Sequence, residues 1–275
     1  MLDIVIALAL VYGCVVGLVF VFQSHLVYYP QIGREIIATP AALALAYEDV
    51  QLRTEDGETL AAWWVPAADA RGTVLLLHGN AGNISHRLDY LRMFNALRYS
   101  TLILDYRGYG RSTGAPSEAG TYRDASAAWH HLTEVLGLAE HDIVIFGESL
   151  GAAVASWLAA RHAPRALVLA STFTSAGDLG AQVYWFLPVR LISRFRYDNV
   201  ENLTAIRSPV LIAHSRDDDI VPFAHGEALY RAAREPKAFL ELAGGHNDGF
   251  ICMREPWVRA LGDFLERHTP AEVTR

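Results

Sequence analysis

The chain has 275 residues, 52% of them hydrophobic and 19% charged, a length that admits one large domain or two small ones. A formal net charge of −7 argues against a nucleic-acid partner, because neutralising phosphates takes a basic surface. Lys237 is the single lysine and opens the strand-like run KAFLEL, so neither a phosphate-cradling P-loop nor Schiff-base chemistry is expected.

Residues 4–22 carry no charge. At about 1.5 Å per residue they make roughly 28 Å of helix, close to the ~30 Å hydrocarbon core of a bilayer. The flank Met1-Leu2-Asp3 lacks a basic residue and no A-x-A follows, so an uncleaved transmembrane anchor is expected rather than a cleaved signal. Tyr28 and Tyr29 fall where interfacial aromatics sit, and Asp3 before the span with Arg34 after it favours a cytoplasmic body. Gly13 and Gly17 form a G-x-x-x-G that can pair two copies into a homodimer, although glycine is also common in membrane helices. Cys14 lies in this span and Cys252 far from it, so no disulfide between them is expected. No C-x-x-C or H-E-x-x-H occurs, so no metal site is expected either.

After the span, short apolar runs alternate with longer amphipathic stretches. EDVQLRT, LAAWWV, TVLLLH, TLILDY, DIVIFG, ALVLA, PVLIAH and KAFLEL read as strands. Residues 84–97, 118–136, 149–161, 223–234 and 255–267 read as helices. The later strands are continuous apolar runs, as strands buried on both faces of a parallel sheet require. The alternation predicts one doubly wound α/β domain over 35–275, with the first two strands an antiparallel hairpin on the sheet edge. Residues 172–207 form an insert between two strands. Its segment VYWFLPVRLISRFR is either a short cap lining an apolar pocket or an amphipathic helix broken at Pro188.

DIVIFGESLGAAVASWLAA places G-x-S-x-G, Gly147 to Gly151, between a strand and a helix. Such a turn holds the Ser149 hydroxyl clear of the sheet at a helix N-terminus, where developing negative charge is favoured. The competing role for Ser149 is a helix N-cap. A serine needs a base to act as nucleophile, and eleven histidines are available. His130, His131, His141 and His162 fall on or beside surface helices, and His225 falls inside one. His246 lies in the glycine loop AGGHND after the last strand, at the end of a sheet where ligands bind. HSRDDDIVPF holds Asp217, Asp218 and Asp219 in a row. Neighbouring side chains of an extended turn point different ways, so one of the three can reach His246; the others are expected at solvent or at backbone amides near the following helix. His78-Gly79-Asn80 ends another strand, and the N–H groups of Asn80 and Leu150 make a candidate oxyanion hole. His78 itself reads as a structural histidine. In LDYRGYGRSTG the glycines are one residue too widely spaced for a dinucleotide fingerprint, so Asp105 and Arg107 read as local structural ions.

The order Ser149, aspartates, His246 is the chain order of nucleophile, acid and base in α/β-hydrolases. HGNAGN, DYRGYGRSTG, GESLGAA, HSRDDDIVP and GGHND resemble that superfamily over about residues 45–267. They look most like its membrane-anchored, single-domain serine hydrolases, which include protein depalmitoylases and lysophospholipases. The resemblance implies an α/β-hydrolase fold, Ser149 as nucleophile, His246 as base and, four residues before the proline of the VP pair, Asp218 as acid, with Asp219 as its rival. It also implies hydrolysis of carboxylic ester or thioester bonds of acyl or lipid-like substrates through an acyl-enzyme, with no cofactor. The same motifs occur in prolyl-oligopeptidase-type peptidases, and a non-catalytic, membrane-tethered interaction protein on this scaffold is the remaining alternative.

Overall fold

The computed structural model describes residues 1–268; residues 269–275 of the expected 35–275 domain lie outside the described residues. Eight strands form one sheet: β1 (Glu48–Arg53), β2 (Thr59–Val65), β3 (Gly72–Leu77), β4 (Tyr99–Leu104), β5 (Ile143–Glu148), β6 (Ala166–Ala170), β7 (Val210–Ser215) and β8 (Lys237–Leu242). Their order is β1-β2-β4-β3-β5-β6-β7-β8. The hairpin β1–β2 and the pair β2–β4 are antiparallel, and every other pairing is parallel.

After the membrane-length α1 (Leu2–Phe22) and a short helical turn, Ser24–Val27, come α2 (Leu88–Ala96), α3 (Glu118–His130), α4 (Leu150–Ala159), α5 (Ala176–Val183), α6 (Val189–Ile192), α7 (Asn199–Ala205), α8 (Phe223–Ala232) and α9 (Glu255–Arg267). Strand residues alternate between two cores, as a pleated backbone with period two must place them. Leu75 and Leu77 of β3 face one core with α3, α4, α7 and α8, while Val74 and Leu76 face the other with α2 and α9. Burial on both faces is why the central strands are apolar at nearly every position.

The strand read as TLILDY is displaced by two residues. Tyr99 and Ser100 pair with Gly72 and Thr73 of β3, while Asp105 leaves the ladder and its Oδ1 accepts the Ile84 N–H at 2.9 Å. The helix expected over 118–136 is α-helical to His130 and closes in a wider turn over His131–Val135, with Leu136 N–H donating to the His131 carbonyl at 2.9 Å. The first turn expected at 84–97 is a tighter 3-10 turn, Ile84–Arg87, capped by the Asn83 side chain.

Helix α1 is long and apolar enough to cross a membrane and buries no residue. No atom lies within 4 Å of a Cβ built on Gly13 or Gly17, so their face of α1 is open. Residues 23–34, outside the domain expected from sequence, pack into it. The expectation for Tyr28 is corrected: its ring is buried, and its hydroxyl hydrogen-bonds that of Tyr197 at 2.7 Å, so Tyr28 is not an interfacial anchor. Its phenol finds a polar partner under the cap, and a buried hydrogen bond of this kind contributes about 1 kcal/mol. The Asn83 side chain also holds this segment, donating to the carbonyls of Gly33, Arg34 and Glu35.

Candidate active site

Four loops at the carboxyl ends of parallel strands meet: Ser149 follows β5, Gly79–Asn80 follows β3, Asp218 follows β7 and His246 follows β8. That edge is where open α/β sheets bind ligands.

Ser149 has φ +53°, a left-handed value that costs a non-glycine residue strain. The flanking glycines explain how the turn survives. A Cβ on Gly147 would stand 2.4 Å from Ala152 Cα, and one on Gly151 would stand 2.2 Å from the Leu77 carbonyl oxygen. Helix α4 therefore presses on β3 and β5 as closely as backbone allows. The Ser149 N–H donates to the Ala170 carbonyl at 2.9 Å, and the Thr172 hydroxyl donates to the Ser149 carbonyl at 2.8 Å. Ser149 occupies the N-cap position of α4, but its side chain makes no capping bond. Its Oγ lies 3.0 Å from His246 Nε2 instead.

His246 Nδ1 lies 2.9 Å from Asp218 Oδ2. A carboxylate there accepts Nδ1–H, which leaves Nε2 with the lone pair that accepts the Ser149 hydroxyl proton. Asp218 Oδ1 also accepts the N–H groups of Val221 (2.7 Å) and Ile220 (3.0 Å). Burial alone would raise the Asp218 pKa. The bond and charge of His246 and those two amides outweigh it and hold the carboxyl below its ordinary range. His214, fully buried, donates Nε2–H to the Val221 carbonyl at 2.9 Å and backs the turn, its own pKa lowered by burial.

The other two aspartates are exposed to solvent, as expected, but the amides they accept are not the expected ones. They take backbone amides of the loop that carries His246, not amides near α8. Asp219 Oδ1 accepts the His246 N–H at 2.9 Å and Asp217 Oδ2 accepts the Gly244 N–H at 3.4 Å, while Ser215 Oγ donates to the Gly244 carbonyl at 2.6 Å. The reason is proximity: β7 and β8 are adjacent and parallel, so their exit turns face each other. Three adjacent carboxylates are thereby separated onto three partners.

Gly79, Asn80 and Leu150 line the same cavity as Ser149 and His246. The Asn80 side chain is held by the Tyr109 hydroxyl, which donates to Oδ1 at 3.0 Å, and by the Tyr29 N–H at 3.3 Å. Sequence reasoning missed Tyr109 and Tyr29 in this role, although Tyr109 stands within the DYRGYG stretch. It also missed Arg87, whose Nη2 lies 3.4 Å from Glu148 Oε1 at the polar end of the cavity. The cavity has a volume of about 470 Å³, within the ~300–1,000 Å³ usual for small-molecule sites. Away from the polar end its walls are apolar, from the 172–207 insert (Leu179, Val183, Leu187, Ile192) and from α1 and its extension (Val19, Leu26). Helix α5 of the insert stops at Val183 and α6 starts directly after Pro188, so the helix breaks before that proline, and the insert lines the site as a cap.

His78 and Asp105 are buried behind the Asn80 loop. Burial pushes the imidazole down to about 3, so it is neutral, and its Nδ1–H donates to the Gly79 carbonyl at 2.7 Å. Burial pushes the Asp105 carboxyl up to about 7 from an ordinary 3.8, against the Ile84 amide and the charges of Arg87 and Arg111. A raised carboxyl binds its proton more tightly folded than unfolded. Its contribution to stability is therefore complete below the unfolded value of 3.8 and is lost as pH rises toward about 7. Asp105→Asn should remove that slope: between about pH 5 and about pH 8, urea unfolding of the parent chain should lose more stability than that of the variant. Equal losses would show that Asp105 does not carry the proton.

Arg107 is buried between Asp124 and Asp56, both 2.8 Å from its guanidinium, as the ion of a packed loop and not of a nucleotide cradle. Removing Asp124 would leave the guanidinium paired with Asp56 alone and strip the acceptor from the buried Arg107 N–H, a loss of about 1–3 kcal/mol. Lys237 Nζ donates to the Tyr230 and Ala233 carbonyls at the end of α8, away from the site. Among the described residues, no group of three or more His, Cys, Asp or Glu side chains is arranged to hold a metal ion.

A family profile for the alpha/beta hydrolase fold matches residues 72–206. The chain is similar to an uncharacterized protein of Mycobacterium tuberculosis, 39% identical over 267 residues, 96% of this chain and 94% of that one. It is also similar to the alpha/beta hydrolase domain-containing protein WAV2 of Arabidopsis thaliana, 36% identical over 280 residues, 93% of this chain and 91% of that one. Among solved structures it is similar to an esterase of Pyrococcus furiosus, with a TM-score of 0.70 and 21% identity, covering 86% of this chain and 97% of that one. At that identity the likeness concerns the fold.

Proposed function

The chain belongs to the α/β-hydrolase superfamily, and we propose that it is a membrane-anchored serine hydrolase of carboxylic ester or thioester bonds in acyl or lipid-like substrates. The observation that carries this is the hydrogen-bonded series Ser149–His246–Asp218, with steps of 3.0 and 2.9 Å, beside an apolar cavity. His246 takes the Ser149 proton as Oγ bonds the acyl carbon. The N–H groups of Leu150 and Asn80 receive the oxyanion, Leu150 with the added field of the α4 N-terminus. Collapse expels the alcohol or thiol, which leaves with the proton from His246. Water, deprotonated by His246, then adds to the acyl-enzyme; acid departs and the proton returns to Ser149. Asp218 fixes the imidazole tautomer and stabilises the imidazolium.

In this proposal α1 is a single-pass anchor with the body on the cytoplasmic side, and the open face at Gly13 and Gly17 admits a second copy. The cavity walls favour acyl chains over acetyl. Full-length protein in detergent micelles, given p-nitrophenyl esters and acyl thioesters of increasing chain length, should show kcat/KM rising from acetyl to longer chains. A profile that is flat or falls from acetyl onward would remove the acyl-pocket assignment.

A further inference from the structure

Helix α1 is not uniform around its circumference. Tyr12, Val16, Val19 and Gln23 are spaced four, three and four residues apart, which places them on one face. Val16 and Val19 are half-buried and Gln23 at the end of the helix is buried, whereas every other residue of α1 is exposed. The cap covers that face. Gln23 Nε2 donates to the Ile192 carbonyl at 3.2 Å, and its Oε1 accepts the Arg194 N–H at 2.7 Å. Eleven residues earlier the Tyr12 hydroxyl donates to the Phe186 carbonyl at 2.8 Å. At about 1.5 Å per residue the cap therefore follows α1 for roughly 16 Å, about half of a ~30 Å hydrocarbon core. The Arg194 guanidinium lies 5.3 Å from the Phe20 ring, at the end of the helix where headgroups begin.

The tip of the cap, from the end of α5 through α6, turns large apolar side chains outward. Trp185 is 81% exposed and Leu191 87%, with Phe186 and Val183 about half exposed. Large apolar side chains exposed together mark a site for a protein or a membrane, and their place beside the apolar helix α1 favours the membrane. One cavity is lined by apolar residues of this cap and Val19 of α1 and also by Ser149 and His246.

We infer that the cap tip enters the acyl layer of the bilayer alongside α1, and that the acyl chain of a membrane-embedded substrate passes sideways through the seam between α1 and the cap to reach Ser149. The inference rests on α1 being a membrane span, and its substrate half rests on the proposed hydrolase activity. Hydrogen bonds at Tyr12 and Gln23 couple helix and cap, so the seam lies at membrane depth whenever α1 is inserted. An acyl chain using it never crosses water, which removes the cost of exposing its methylenes, about 0.8 kcal/mol each.

Full-length protein in phosphatidylcholine vesicles tests this. The fluorescence lost on Trp185→Phe isolates the Trp185 signal from the other tryptophans. That component should be quenched by phosphatidylcholine brominated in its acyl chains and spared by aqueous iodide; quenching by iodide alone would overturn insertion of the tip. Alkaline carbonate separates the premise from the inference, because release of the chain from the vesicles would instead sink α1 as a span. For substrate entry, the pair Trp185→Asp with Leu191→Asp should lower turnover of a long-chain ester embedded in the vesicles by at least about tenfold, since carboxylates are costly in hydrocarbon. Turnover of a water-soluble butyryl ester should be unchanged. Equal turnover of the embedded ester by parent and variant would overturn lateral entry, whereas no turnover by the parent chain of either ester or of the matching acyl thioesters would overturn the hydrolase assignment itself.

Discussion

Ser149→Ala should lower kcat by about a millionfold, the scale on which removing a triad nucleophile acts, and should abolish labelling by a fluorophosphonate probe. The fold should survive. Alanine keeps the Cβ that already sits at φ +53°, so the strain of the turn is unchanged, and the backbone bonds to Ala170 and Thr172 do not involve the lost oxygen. What disappears is one hydrogen bond to His246 Nε2, worth about 1 kcal/mol, so the urea midpoint should move little. A small residual rate should remain, because oxyanion donors and substrate positioning still act without the nucleophile. Labelling that persists at another residue would remove Ser149 from the mechanism, and an unfolded variant would show the hydroxyl to be structural.

The parts of this molecule that could be read from sequence are those whose cause is local. ALVLA coincides with β6, because a strand buried on both faces is an uninterrupted apolar run, and KAFLEL coincides with β8, an edge strand that is only half-buried and keeps Lys237 and Glu241. Gly147 and Gly151 were legible because two backbones approach within a Cβ of contact, and only glycine permits that. What escaped was long-range. Tyr12 and Phe186 are 174 residues apart, and Gln23 meets Ile192 and Arg194 at a separation of about 170. No periodicity within either segment signals the other. Gln23 carried a faint mark, as a polar residue closing an apolar stretch, but nothing named its partner. Tyr28 was misread for the same reason: next to a membrane-length helix an aromatic suggests an interface, yet Tyr197, far along the chain, supplies a buried partner. TLILDY starts late and overruns the strand because Tyr99 and Ser100 carry no apolar run, while Asp105 and Tyr106 stay buried in the loop beyond it.

The aspartate cluster offers the sharper discrimination. Asp218→Asn should reduce kcat by roughly 10⁴, the effect of the same exchange in a serine-protease triad. The amide oxygen can keep the Val221 and Ile220 N–H groups that Asp218 Oδ1 now accepts. Its NH₂ then faces His246 Nδ1, where it can only donate. The imidazole must answer with a lone pair at Nδ1, which moves its proton to Nε2 and points that proton at Ser149 Oγ, so the base is lost while the geometry stays. Asp219→Asn has a different consequence. Asp219 accepts a backbone N–H of His246, and an asparagine oxygen accepts it as well, so turnover should stay within about tenfold of the parent. Asp219→Ala removes the acceptor and loosens the loop; its effect should fall between the other two and should respond to temperature as a positioning defect does. Rates for the three variants, measured beside their fluorophosphonate labelling, separate a carboxylate that sets a tautomer from one that holds a loop. If Asp219→Asn lost 10⁴ and Asp218→Asn did not, the acid would be Asp219, and the 2.9 Å contact between Asp218 and His246 would not be the one that orients the base.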